Sequence, residues 1–150
     1  MDFGNLKMYI DGGLKSSIDK ITKDIYSPLN GEKIASLSWG NHKDSKIALE
    51  SASNGFKSWS KLPLSKRKEW MLKLRKQILE NENLLRKAIS YEMGKPYAAT
   101  GEDIESITNS LEYYAEIIDD FIRPTEIAEN DDTHNHQLIF KPIGVVVAYL

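Results

Sequence analysis

The final stretch, Lys141-Pro142-Ile143-Gly144-Val145-Val146-Val147-Ala148-Tyr149-Leu150, constrains this chain most. It is a continuous apolar run introduced by Pro and Gly. Such a run predicts a strand buried on both faces, as in a parallel sheet flanked by helices. A parallel strand needs a crossover and a partner strand. A free carboxylate at the end of a buried strand would be costly to desolvate. The expectation is therefore the front part of a larger protein, ending where an open parallel sheet begins, in the α/β class.

The bulk numbers narrow the rest. With 150 residues, 41% apolar and 28% charged, the chain can form one domain. Lys and Arg total 20 against 22 Asp and Glu, a net charge of -2, which gives no reason to expect nucleic acid or an anionic membrane as partner. No apolar run approaches membrane-spanning length. Met1-Asp2-Phe3-Gly4-Asn5 shows no basic segment leading into an apolar one, so a secretory signal is not expected and the cytoplasm is the default location. The chain has no Cys, which excludes disulfides, thiolate metal ligands and a Cys nucleophile within it.

Met8-Tyr9-Ile10 before Asp11-Gly12-Gly13 predicts a short strand and a tight turn. Lys23 to Tyr26 and Glu32 to Trp39 predict two more strands, joined by the turn Ser27-Pro28-Leu29-Asn30-Gly31. Ala35, Leu37 and Trp39 share one face of the second. Together these make a small antiparallel ribbon. Asp44 suits the N-cap of a helix whose narrow face carries Ile47, Ala48, Ser51, Ala52, Gly55, Phe56 and Trp59. Pro63 breaks the chain. Ser65 can cap a second helix to about Asn81, with Trp70, Leu74, Ile78 and Leu85 in phase. The same stretch carries Lys57, Lys61, Lys66, Arg67, Lys68, Lys73, Arg75 and Lys76. Without an aromatic platform or Gly-rich loop, this reads as a solvated face ahead of a phosphate-binding one.

A third helix restarts at Asn81 or Asn83 and runs to Met93, where Gly94 and Pro96 stop it. A fourth runs from about Gly101 to Ile118 with Ile104, Ile107, Leu111, Tyr114 and Ile118 as its buried stripe. Asp119 and Asp120 at its end oppose the helix dipole. The polar stretch from Glu129 to His136 holds a His-x-His pair, His134 and His136. A metal site there would need a third well-placed ligand, so a solvated hairpin tip is the reading and no metal is expected. Strand character resumes from Gln137 to Lys141.

In order, these pieces resemble the N-terminal portion of the NAD(P)-dependent aldehyde dehydrogenases. The resemblance rests on the turn Ser27-Pro28-Leu29-Asn30-Gly31-Glu32, the helix from Asp44 with Ala52, Phe56 and Trp59, and Arg67 opening the next helix. It continues with Glu92-Met93-Gly94-Lys95-Pro96, Tyr113-Tyr114-Ala115-Glu116 and Lys141-Pro142-Ile143-Gly144-Val145-Val146. In correct order across nearly the whole chain, they point to the family but to no subfamily.

The resemblance implies an antiparallel strand ribbon, helices, a hairpin and the first strand of a Rossmann-like sheet. Residues 1–150 would be the N-terminal part of the cofactor-binding domain, with about 125–142 resembling the oligomerisation or bridging hairpin and the catalytic domain absent. It implies oxidation of an aldehyde to a carboxylic acid with NAD or NADP in the complete protein. A thiolate adds to the carbonyl, amide donors hold the oxyanion, hydride leaves to the nicotinamide, and a carboxylate-activated water hydrolyses the thioester. The Asn-containing oxyanion segment, the Cys and the Glu would all lie further on. The chain as given is expected to be inactive and to bind the cofactor poorly.

Site residues carried over by the resemblance are few: Tyr149 and Leu150 on the nicotinamide side of the cofactor, with sheet core as their alternative, and Ser106 lining the substrate tunnel, with plain helix surface as its alternative. No catalytic residue is assigned. Glu92 and Lys95 read as structural, and the four-residue spacing of Glu112 and Glu116 makes neither a metal site nor a catalytic pair. The implied partners are a small aldehyde and further copies in a homo-dimer or homo-tetramer, with no nucleic acid and no membrane. The competing readings are a non-catalytic helical interaction or assembly module and a truncated pseudoenzyme kept for dimer contacts.

Overall fold

The computed structural model describes residues 1–126, 133–134 and 136–148. Five strands open it: β1 Asn5–Leu6, β2 Met8–Ile10, β3 Gly13–Lys15, β4 Thr22–Tyr26 and β5 Lys33–Ser38. Asp11 at φ 55° and Gly12 at φ 71° put both central turn residues in the left-handed region. A turn of that hand matches strand twist, so β2 and β3 close as an antiparallel hairpin. β4 and β5 pair antiparallel as expected, Lys23 opposite Leu37. The added feature is β1, which lies parallel to β5 and gives the order β1-β5-β4. Two residues carry no readable period, which is why the sequence does not announce it.

β5 is covered on both sides. Ile34, Ala35 and Ser38 are buried. Of the expected face only Ala35 is buried, whereas Trp39 stands 45% exposed. Its ring instead carries the Lys23 ammonium 3.8 Å from the centroid. Ser38 is held inside because its Oγ accepts from the Ser17 N–H at 2.8 Å.

The helices are α1 His42–Trp59, α2 Leu64–Glu80, α3 Glu82–Met93 and α4 Gly101–Phe121, with a short 3-10 helix at Tyr97–Thr100. Asp44 is not the N-cap of α1. Asn41 caps it and Asp44 closes the capping box from the third position. Ser65 likewise lies inside α2, which starts without a side-chain cap after Pro63. Pro63 presets an extended approach, and its carbonyl accepts from the Lys66 and Arg67 N–H groups. Leu85 belongs to α3, not to α2. Gly94, at φ 73°, ends α3 as expected.

α4 buries Ile104, Thr108 and Ala115, while Ile107 and Tyr114 are about half exposed. The packed stripe is thus turned from the expected one toward the side facing α2. Thr108 fits there because its Oγ1 donates to the Ile104 carbonyl at 2.8 Å, which cancels its polarity. Arg75 of α2 clamps α4, donating to the Thr108 carbonyl and to Glu112 Oε2. The same packing explains the acidic end of α4: Asp119 pairs with Lys68, and Asp120 with Arg123.

β6 Thr125–Glu126 pairs antiparallel with β7 Gln137–Leu138. From 139 to 148 the chain has no regular structure, and Ile143 is 95% exposed. The strand expected over this run is not formed in the described part, 141–148. A strand exists only in a ladder, and no described segment pairs with it. No helix among the described residues is long and apolar enough to cross a membrane.

Candidate functional site

The turn from Ser27 to Glu32 and the segment from Glu92 to Pro96 meet in space. Ser27 is almost fully buried, with its N–H on the Glu32 carbonyl at 2.8 Å and its carbonyl accepting from the Gly31 N–H. This docks Pro28 on the end of α3. A Cβ built on Gly94 would lie 3.0 Å from Pro28 Cγ. Gly94 is therefore required twice, by its positive φ and by the approach of Pro28. Lys95, next in line, pairs with Asp103 of α4 at 2.7 Å. Glu92 lines an apolar cavity of about 200 Å³ between the sheet and α3, with Phe3, Ile25, Ile34, Leu37 and Ala88. Glu112 is paired with Arg75.

One tie was missed from the sequence. Arg86 donates from Nε to Thr100 Oγ1, from Nη1 to Glu82 and from Nη2 to the Tyr97 carbonyl, and lies over the Tyr97 ring. It staples the 3-10 helix to α3. The readable signal was its four-residue spacing from Glu82; the backbone partner was not readable. Thr100 is fully buried in consequence. Arg67 is half-buried, and its Nε has no hydrogen-bond partner among the described residues.

Ser106 is exposed, on the side of α4 away from the buried stripe. Seven residues on, Tyr113 shares that side and meets Tyr114 edge to face, centroids 5.5 Å apart. Ser110 donates to the Ser106 carbonyl. Tyr149 and Leu150 lie outside the described residues, as do 127–132 and 135 of the polar stretch. His134 and His136 stack with centroids 5.9 Å apart, and Thr133 Oγ1 lies 2.6 Å from His134 Nδ1. Among the described residues, no group of three His, Cys, Asp or Glu could hold a metal.

Among the described residues, the Asp24–Lys33 ion pair perturbs titration. The Lys33 ammonium bound to Asp24, with help from the Ser36 hydroxyl, holds the Asp24 carboxyl below its ordinary 3.8. Asp24 in turn raises Lys33 above 10.5. The pair crosses from β4 to β5 on the surface and carries no chemistry.

Residues 15–149 match the model of the aldehyde dehydrogenase family. The chain belongs to this family. It is 30% identical over 145 residues to the D-glyceraldehyde dehydrogenase (NADP(+)) of Thermoplasma acidophilum, covering 95% of this chain and 29% of that one. It is 31% identical over 134 residues to the 1-pyrroline-5-carboxylate dehydrogenase of Staphylococcus saprophyticus, covering 86% and 26%. The solved betaine aldehyde dehydrogenase of Staphylococcus aureus in complex with NAD+ superposes with a TM-score of 0.84 at 26% identity, over 91% of this chain and 28% of that one. The chain thus spans less than a third of the length of these relatives. In this aldehyde dehydrogenase segment, the Ser27–Glu32 turn meets Gly94 through Pro28.

Proposed function

We propose that this chain serves as the N-terminal segment of an aldehyde dehydrogenase, which oxidises a small aldehyde to the carboxylic acid with NAD or NADP as hydride acceptor. The observation that carries this is the continuous family match over residues 15–149 together with the TM-score of 0.84 to an NAD+ complex. The named relatives include one whose name specifies NADP(+), so either dinucleotide suits the reading. Residues 1–150 contribute the N-terminal part of the cofactor-binding domain. The paired β6 and β7 belong to a bridging hairpin at about 125–142 that joins copies into a homo-dimer or homo-tetramer, in the cytoplasm. Tyr149 and Leu150 face the nicotinamide side of the cofactor, and Ser106 the substrate passage.

The chain carries no Cys, so the thiolate addition that begins the reaction is not performed by these residues. What they supply is a rigid frame, with α2 and α4 locked by Arg75 and Lys68. The test is cofactor reduction followed at 340 nm by the purified 150-residue chain across small aldehydes, alongside calorimetric titration with NAD and NADP. No turnover and weak or absent dinucleotide binding are expected. Turnover by rigorously purified chain would overturn the division of labour.

A further inference from the structure

We draw no further inference here: the strongest candidate, the exposed apolar face of α4 that carries Ile107, Tyr114 and Phe121, is an unpartnered surface, and nothing in the structure shows what covers it.

Discussion

Gly94→Ala tests the joint between the Ser27–Glu32 turn and the end of α3. The new methyl group meets two obstacles. Gly94 sits at φ 73°, where an L-residue costs roughly 1–2 kcal/mol. The Cβ would also stand 3.0 Å from Pro28 Cγ, inside the optimal carbon–carbon separation. Relieving such an overlap costs about 1–2 kcal/mol in a packed site. Loss of glycine entropy in the unfolded chain returns about 0.5 kcal/mol. The net destabilisation is therefore about 2–3 kcal/mol. Gly31→Ala is the internal control, because Gly31 has nearly the same φ of 72° and nothing within 4 Å of its Cβ. It carries the backbone cost alone, about 1 kcal/mol. With a urea m-value of about 1–2 kcal/mol/M, the two midpoints should differ by roughly 1 M. Pairing Gly94→Ala with Pro28→Ala in a double-mutant cycle should recover the steric part. Equal midpoints for Gly94→Ala and Gly31→Ala would refute the approach of Pro28 as a constraint.

Other outcomes follow from the same packing. Asp44→Ala should cost about 2–4 kcal/mol in urea unfolding, because Asp44 accepts from the Ile18 and Asn41 N–H groups and would leave them unpaired. Ile104→Ala should cost about 2–4 kcal/mol, whereas Tyr114→Ser on the exposed flank of α4 should stay within about 0.5 kcal/mol. The contribution of the Asp24–Lys33 pair is present above pH 3.8 and fades as pH falls through the lower value that Asp24 has in the fold. On the alkaline side it is present below 10.5 and fades as pH rises through the raised value of Lys33. Melting temperatures of Lys33→Met against pH should show both edges flattened. A chain ending at Lys141 should scatter less light than one ending at Leu150, because Val146 and Ile143 stand exposed.

Helix periodicity located all four helices, since three- and four-residue spacing survives any choice of neighbour. It misjudged which residues of α4 are innermost, because Ile107 and Thr108 are adjacent and the direction of α2 decides between them. Thr108 wins through a bond to its own helix, which no hydrophobicity pattern reports. The caps failed for a related reason. Asn41, Asp44 and Ser65 are all competent caps, and the choice belongs to the loop that delivers them. The family segments were legible as strings, but the meeting of Pro28 with Gly94 spans residues far apart in sequence.

The side-chain ties that hold the helices differ widely in span. Arg86 reaches Thr100 across 14 residues, and Arg75 reaches Glu112 across 37. The Lys68–Asp119 bond spans 51 residues. Loop-closure entropy grows only slowly with length, so the longest of these ties costs about 1 kcal/mol more to close than the shortest. As the polypeptide leaves the ribosome, the β2–β3 hairpin can close before β5 exists. The parallel β1–β5 pairing must wait until Ser36 and Leu37 have emerged. α4 locks onto α2 once Asp119 is out, well before the run at 143–148 is available to compete for the sheet. Vectorial synthesis thus lets the helical frame set around its own ion pairs while the most aggregation-prone stretch is still in the exit tunnel.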